Sequence, residues 1–400
     1  MKKVTNDNIR NLVNIITQEM RSREDKKSKW ADFKNENRDS LYKLLELPTD
    51  SDIKPGDLIG FDIHPDEKLI LLNYTSQAHN ILHEIPGGWT PVLRAMRGLV
   101  YSFGNSMSDI QLVSRGFDKF FNQSELPETS IDSLARRCGD EKLVCREKAD
   151  GHMVECFLYR DRLFTTTRGK FGTLSAQQAS EMMDRSHWIK SDLMARSLKN
   201  ELMTLVVELI TPESEVHVNY NGNETMYLLA AYDKSGKRIH DKFLSYLSEE
   251  MPELFSLPEV TMMTLSEVIE NIQDRTIENK EGWVVDCCGM LVKFKYETYI
   301  GKMVQSKLSY KYIMRCIQKE RLEKMINTLP EEVRSVAEVM TSEVLERVMD
   351  CKEQNSHLPL YELHSSLDGG VAYFRAVCRE FWKEWGKNFV SDYEQLEFNL

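Results

Sequence analysis

The sequence predicts an α+β fold in which antiparallel sheets with flanking helices are followed by an all-α C-terminal domain. Short apolar runs of strand length, separated by turn residues, fill residues 58–118 and 143–172. The predicted strands and helices occur in groups and do not alternate one by one, which favours antiparallel sheets over βαβ units. After about residue 301 the apolar spacing is helical.

The N-terminal stretch predicts helices. Apolar residues from Ile9 to Met20 recur at intervals of three and four, which places them on one stripe of a helix over residues 6–24. A second helical stretch follows over residues 30–46. We therefore expect residues 1–57 to be a helical segment that packs on the next domain.

Residues 58–305 are expected to form the main α+β domain. Its first strands are interrupted by the turn-forming Pro86-Gly87-Gly88. Helices are expected over 174–185 and 189–200, and a helical insert near 239–273. Further strands are predicted at Leu143–Cys145, Met153–Tyr159, Leu163–Thr167, Met203–Ile210, Glu215–Tyr220, Met226–Tyr232, Gly282–Val285 and Met290–Lys295.

Residues 306–400 are expected to form a separate helical domain. Apolar positions at helical spacing predict helices over Tyr310–Ile326, Glu331–Cys351 and Val371–Trp385. The pattern shows neither sustained heptads nor a fixed repeat.

Composition excludes several classes of protein. A net charge of −11 argues against a protein that coats nucleic acid without specificity, because neutralisation of phosphates supplies that affinity. No run of about 18 apolar residues occurs, so we expect no membrane partner. The polar first residues do not resemble a signal peptide, and the eight cysteines lack metal-site spacing. These features predict an intracellular protein, cytoplasmic or nuclear.

Charged residues interrupt apolar strands at four places. Lys148 lies at a strand end within Glu147-Lys148-Ala149-Asp150-Gly151, and Glu208 lies between Val207 and Leu209. Glu281 precedes Gly282-Trp283-Val284, and the last place is Lys293-Phe294-Lys295. A buried charge is costly unless it is paired or binds a ligand. The series therefore indicates a binding site.

Lys293 and Lys295 indicate what that site binds. Side chains alternate along a strand, so both ammonium groups point to one face and Phe294 points to the other. Two cations on one face repel each other unless an anion lies between them. A polyphosphate would satisfy them, and the carboxylates would then serve a divalent metal ion near the phosphate oxygens.

These residues resemble the covalent nucleotidyltransferases, which include polynucleotide ligases and mRNA capping enzymes, and within them the RNA ligases of the bacteriophage T4 RNA ligase 1 type. Lys148-Ala149-Asp150-Gly151 matches the nucleophile motif. Glu208, Glu281-Gly282-Trp283-Val284 and Lys293-Phe294-Lys295 match the later motifs, while Arg97-Gly98 and Lys119-Phe120-Phe121-Asn122 match the segments ahead of the nucleophile. The resemblance covers residues 90–300.

The resemblance implies a nucleotidyltransferase domain that catalyses a three-step reaction. Lys148 attacks the α-phosphate of ATP and forms lysyl-AMP, AMP moves to an RNA 5′-phosphate, and a 3′-hydroxyl end displaces it. Phe121 and the strand Tyr227–Tyr232 are candidate walls for adenine. Lys148, Lys293 and Lys295 would be catalytic. The implied nucleotide contacts are Arg97, Lys119, Phe121, Lys148, Glu208, Lys293 and Lys295, and the implied ligands of Mg²⁺, for which Mn²⁺ could substitute, are Asp150, Glu208 and Glu281.

Other functions remain open at this point. A DNA ligase or a capping enzyme shares the lysine chemistry but would call for an OB-fold after Lys295, where the sequence predicts helices. An inactive nucleic-acid-binding relative is a third reading. For an RNA ligase we expect a monomer that joins broken RNA, with tRNA as a candidate substrate selected by the helical domain. A separate kinase or phosphatase could prepare the ends.

Overall fold

The computed structural model describes residues 5–21, 26–48, 53–83, 85–185, 201–214, 216–308, 321–330 and 333–342, with a few single residues in 191–199 and 312–316. The chain divides into two compact units, residues 1–296 and residues 297–400. The candidate site residues all belong to the first unit.

The first unit begins with three helices, α1 (Thr5–Arg21), α2 (Lys26–Glu36) and α3 (Arg38–Leu44). Their buried stripe shares one apolar core with the first sheet. Val13 and Ile16 on α1 are fully buried in this core, as are Ile70 and Leu72 on the sheet. The helical spacing of the N-terminal stretch therefore arises from packing against a sheet.

The first sheet is antiparallel, with strand order β1-β2-β3-β4. Two short helices, α4 (Ser76–His83) and α5 (Pro91–Ala95), connect its second and third strands. The strands are β1 (Ile59–Ile63), β2 (Leu69–Tyr74), β3 (Arg97–Ser102) and β4 (Gln111–Ser114).

Two five-stranded sheets carry most of the candidate site. One has the order β12-β6-β13-β14-β5 and the other β11-β10-β9-β7-β8. Pairs within them are antiparallel except β5 with β14 and β10 with β11. The strands are β5 (Phe121–Asn122), β6 (Leu143–Glu147), β7 (His152–Tyr159), β8 (Arg162–Thr167), β9 (Thr204–Ile210), β10 (Thr225–Tyr232), β11 (Phe255–Ser256), β12 (Val260–Met263), β13 (Gly282–Cys287) and β14 (Met290–Lys295).

Helices flank these sheets, which confirms the prediction of antiparallel sheets with flanking helices. α7 and α8 contribute Met183 and Leu247 to the core beneath β7, β9 and β10. The helices of this region are α6 (Ile131–Cys138), α7 (Leu174–Asp184), α8 (Lys242–Glu250) and α9 (Leu265–Gln273).

The structure corrects two of the predicted elements. Residues 216–220, expected to be part of a strand, form a loop that the carboxylate of Asp150 holds by hydrogen bonds. The insert near 239–273 contains the two short strands β11 and β12 between its two helices. The helix expected over 189–200 falls largely outside the described residues.

The second unit is helical where it is described. It contains α10 (Glu297–Lys307) and α11 (Leu322–Thr328), and residues 333–342 are also helical. The unit begins at residue 297, whereas the sequence suggested 306. Most of 306–400, including the helix predicted at Val371–Trp385, lies outside the described residues, so the all-α domain stays a prediction. No helix in the described ranges is both long and apolar enough to cross a bilayer.

We expect Gly282→Ala to lower the free energy of unfolding by at least about 2 kcal/mol, because this glycine combines an unusual backbone angle with a close approach. Its φ is +154°, and a Cβ there would lie 2.0 Å from the carbonyl oxygen of Phe294 on the neighbouring strand. Urea denaturation would measure the change.

Gly289→Ala in the hairpin between β13 and β14 is the matched control. Its φ is +85°, but a Cβ would meet nothing within 4 Å, so only backbone strain of about 1 kcal/mol should result. An equal loss in both variants would contradict the steric argument.

Candidate active site

The site centres on an ion pair between Lys148 and Glu281. Lys148 follows β6 and Glu281 precedes β13, and these strands are antiparallel neighbours in which Glu147 pairs with Trp283. The backbone N–H of Lys148 donates to the carbonyl of Gly282 at 2.8 Å. As a result Lys148 Nζ lies 2.7 Å from Glu281 Oε2.

Glu281 also binds Lys295. Gly282 pairs with Lys295 across β13 and β14, which brings Lys295 Nζ to 3.2 Å from Glu281 Oε1. Each carboxylate oxygen thus binds one ammonium group, and the glutamate is 3% exposed. A nearly buried carboxylate between two lysines is stable because both oxygens have partners, and removal of such a partner typically costs about 3–5 kcal/mol.

A pocket of about 240 Å³ opens beside the triad of Lys148, Glu281 and Lys295. Lys293 and Lys295 both line it while Phe294 is fully buried, as strand alternation requires. The cations around the pocket are Arg97, Arg146, Lys148, Arg238, Lys293 and Lys295. This concentration of positive charge is suited to a phosphorylated ligand.

Glu208 lies in the same pocket on β9. Burial raises the pKa of its carboxyl, Lys148 lowers it and the charge of Glu281 raises it, so that the pKa lies at about 7. Glu208 can therefore exchange a proton near neutral pH. A cation placed beside it would hold it in the carboxylate form.

Asp150 fixes the loop that faces the Lys148 turn. Its Oδ2 accepts hydrogen bonds from the backbone N–H groups of His217 and Val218 at 2.8 and 3.0 Å. Its own N–H donates to the hydroxyl of Tyr220 at 2.8 Å. The turn 148–151 also carries the chain from β6 in one five-stranded sheet to β7 in the other. Asp150 thus holds the junction between the sheets.

The structure does not gather the three carboxylates predicted to bind metal into one compact set. Oxygens of Asp150, Glu208 and Glu281 do not all lie within 4.8 Å of one another, and the one group in the described ranges that meets this limit lies elsewhere. Mg²⁺ retains several waters and is commonly held by one or two carboxylates. The three carboxylates therefore need not all contact the ion directly.

Arg97 begins β3 and reaches the pocket over Phe120. Its guanidinium lies 5.7 Å from the centre of that ring, and Lys293 Nζ lies 5.2 Å from the same centre. Phe120 thus attracts both cations by cation–π interactions.

Lys119 and Phe121 lie away from this pocket. Lys119 Nζ is 3.4 Å from Glu125 Oε1 and over the ring of Phe121 at 4.8 Å, and both residues line an adjoining cavity of about 690 Å³. Phe121 is 2% exposed and belongs to the N-terminal core. Adjacent residues of an extended chain face opposite sides, so Phe120, and not Phe121, lines the pocket.

Several pocket residues were missed from the sequence. Arg146 and Arg238 both bind Asp241, at 2.7 and 3.1 Å, and line the pocket together. Leu229, on the strand Tyr227–Tyr232 that the sequence offered as a wall, and Val284 are apolar lining residues. Arg146 could have been found from its strand because it is two residues before Lys148. Arg238 comes from a distant segment, and only the tertiary structure brings it here.

Glu155 is a second buried acid that sequence reasoning missed, although it interrupts an apolar strand just as Glu208 does. It is fully buried on β7, and burial raises the pKa of its carboxyl to about 8. Ser114 Oγ donates to Glu155 Oε2 at 2.6 Å. A Cβ on Gly98 or Gly116 would lie within 3 Å of the other oxygen, so the segments after Arg97 and Arg115 pack directly on this acid.

Comparison with known proteins identifies the family of the chain. A family model described as RNA ligase, of the T4 RNA ligase 1 type, matches residues 95–312, more than half of the chain. The chain belongs to this family.

Individual relatives are distant. A Thermovibrio ammonificans protein named as a presumed RNA ligase is 28% identical over 196 residues, which cover 49% of this chain and 47% of that protein. Schizosaccharomyces pombe tRNA ligase 1 is 29% identical over 139 residues, which cover 32% of this chain and 17% of that protein. The chain thus matches about half or less of these relatives' lengths. An archaeal ATP-dependent RNA ligase structure covers 79% of this chain and 82% of its own, with 14% identity and a TM-score of 0.44.

We expect the free energy of unfolding to fall as the pH rises from about 4.5 to 8, and Glu155→Gln to make this fall smaller. The carboxyl of Glu155 has a pKa of about 8 in the folded protein and near 4.5 in the unfolded chain. The folded state therefore binds more protons between these pH values. One such proton gives a slope of about 1.4 kcal/mol per pH unit. Urea denaturation at several pH values would measure it.

Glutamine keeps an oxygen to accept the hydrogen bond from Ser114 but cannot titrate. The wild-type chain is the reference. The dependence of the unfolding free energy on pH that remains in Glu155→Gln below pH 7 should include the titration of Glu208. Identical slopes in the two proteins would show that Glu155 is ionised in the folded state.

Proposed function

We propose that this protein is an ATP-dependent RNA ligase that joins 5′-phosphate and 3′-hydroxyl RNA ends through lysyl-AMP and adenylylated RNA. The observation that carries the proposal is the Lys148 amine, held at 2.7 Å by buried Glu281 at the edge of a cation-lined pocket. Membership of the RNA ligase family supports the same conclusion.

In the first step Lys148 Nζ attacks the α-phosphorus of ATP. A P–N bond forms, the bond from the α-phosphorus to the bridging oxygen breaks, and pyrophosphate leaves with the electron pair. Nζ must lose a proton to act as a nucleophile. Glu281 Oε2 is positioned to accept this proton because it already accepts the hydrogen bond from Nζ.

The remaining cations stabilise the charge on the phosphates. Lys293 and Lys295 lie on one face beside Lys148 and would contact the α-phosphate of ATP. Arg97 offers a forked contact to the β- or γ-phosphate. Positioning and charge stabilisation supply most of the rate enhancement in such transfers. Lys119 would contact the nucleotide only if its ion pair with Glu125 were broken.

The donor set fits a divalent metal ion. Glu208 and Glu281 offer carboxylates beside the cations, and the raised pKa of Glu208 indicates an acid that gains from a nearby positive charge. Mg²⁺, or Mn²⁺ in its place, would neutralise phosphate charge there. Asp150, which holds the loop 216–220 through its Oδ2, is the third candidate ligand.

Adenine is proposed to lie against Leu229 and Val284. These side chains are apolar, line the cation-rich pocket and belong to strands of different sheets, so they would offer apolar contacts to a flat base. Leu229 belongs to the strand expected to supply an adenine wall, whereas Phe121 is buried in the core. Tyr227 lines a smaller cavity of about 130 Å³ that also reaches Lys148.

RNA is favoured over the other substrates by the second unit. DNA ligases and capping enzymes would place an OB-fold after Lys295, but the described residues of 297–342 are helical and contain no strand. A catalytically inactive binding protein would have little use for a lysine paired with a buried acid. We extend the proposal to broken tRNA, which the partial match to a tRNA ligase supports.

We expect Lys148→Arg to abolish covalent labelling when the protein is incubated with α-³²P-labelled ATP and Mg²⁺. Arginine keeps the positive charge beside Glu281 but is not a nucleophile at neutral pH. Label that survives denaturing electrophoresis is the measurement. Offering 5′-phosphorylated RNA and DNA strands to the labelled wild-type protein then separates RNA from DNA joining, and cleaved tRNA tests the substrate.

Lys142→Ala is the matched control. This lysine is half-exposed, binds Glu267 and lies just before β6, so its loss should leave labelling unchanged. Label on Lys148→Arg would exclude this lysine as the nucleophile. No label on the wild-type protein, after pyrophosphate treatment to remove bound AMP, would favour an inactive binding protein.

We expect Leu229→Ala to raise the apparent KM for ATP in the labelling reaction by roughly 10-fold, because a lost apolar wall weakens base binding by about 1–3 kcal/mol. Tyr227→Ala distinguishes the two cavities. If adenine occupies the smaller cavity, Tyr227→Ala raises the KM and Leu229→Ala does not.

A further inference from the structure

A cluster of histidines and a carboxylate lies apart from the Lys148 pocket. His79 and His83 are four residues apart on α4, so they share one face of the helix, and Glu125 follows β5. One donor atom from each of the three lies within 4.8 Å of the others. The two imidazole rings are 4.1 Å apart, and His79 Nδ1 is 3.7 Å from Glu125 Oε1.

Hydrogen bonds orient His83 and Glu125 within this cluster. His83 Nε2 lies 2.6 Å from the backbone carbonyl of Glu125, which makes this nitrogen the protonated one and leaves the lone pair on Nδ1. Glu125 Oε2 accepts from the N–H and the side-chain amide of Asn122 at 2.6 and 2.7 Å. Oε1 is the oxygen that faces His79. Metal-binding histidines and carboxylates are typically oriented in this way by backbone carbonyls and amides.

We propose that His79, His83 and Glu125 bind a Zn²⁺ ion. Two imidazole nitrogens and one carboxylate oxygen are a set that Zn²⁺ prefers, and a fourth position would be taken by water. Nδ1 of each histidine and Oε1 of Glu125 are shielded from solvent. A mixed nitrogen and oxygen set disfavours Mg²⁺ and Ca²⁺, which take oxygen ligands.

Lys119 sets the strength of this site. Its Nζ is 3.4 Å from Glu125 Oε1 and balances that carboxylate when no metal ion is bound. A dication must therefore replace Lys119 as the partner of Glu125, and the ammonium group keeps the rings of Trp89 and Phe121 as partners. This competition predicts moderate affinity.

The ion would connect α4 to the strand next to the catalytic lysines. Asn122 pairs with Lys293 across β5 and β14, and the N–H of Gln123 donates to the carbonyl of Lys293 at 2.9 Å. Metal binding at Glu125 would thus stabilise the segment that carries Phe120 and supports Lys293. This inference concerns a metal ion outside the Lys148 pocket and does not depend on the proposed ligase activity.

The test is a titration of the metal-stripped, full-length protein with Co²⁺, followed by displacement with Zn²⁺. The visible absorption of Co²⁺ is strong when the ion has four or five nitrogen and oxygen ligands. We expect one ion per chain on these ligands. His83→Ala and Glu125→Gln should each raise the dissociation constant at least about 100-fold. Zn²⁺ should raise the thermal midpoint of the wild-type protein but not of these variants.

His240→Ala is the matched control, since this exposed histidine lies outside the cluster and its loss should leave the titration unchanged. Circular dichroism would check that each variant is folded, and Glu125→Gln preserves the shape of the side chain if His83→Ala does not fold. The proposal is overturned if the wild-type chain shows no such absorption, or if His83→Ala and Glu125→Gln bind Co²⁺ as tightly as the wild-type chain.

Discussion

The nearly buried carboxylate of Glu281 is the interaction on which the site depends. It binds Lys148 through one oxygen and Lys295 through the other, so three strands of one sheet are joined by charge as well as by backbone hydrogen bonds. The arrangement leaves one positive charge in excess. That excess of positive charge favours an anion as a further partner of the three residues.

The sheets position this triad at a junction. The turn 148–151 leaves one five-stranded sheet and enters the other, and the pocket has walls from both. Asp150 secures the turn through the loop 216–220. A lysine on such a turn has its backbone fixed on two sides while its side chain lines the pocket, which limits the conformational entropy lost when a ligand binds.

Two further acids show how burial controls charge around the site. Glu208 and Glu155 lie on adjacent strands of the same sheet, and burial raises the pKa of both. They differ in surroundings, because Glu208 lines the cation-rich pocket whereas Glu155 is enclosed by the glycines after Arg97 and Arg115. The first suits a ligand-binding role, and the second suits the packing of the segments that present Arg97.

The sequence by itself determined the antiparallel strands, the charged positions within them and the shared face of Lys293 and Lys295, because these follow from local periodicity and the cost of burying charge. It could not decide between Phe120 and Phe121, since adjacent residues face opposite sides and only the neighbouring elements define which side is the pocket. Arg238 and the cluster of His79, His83 and Glu125 were equally hidden. Their partners are distant along the chain, and tertiary packing alone brings them together.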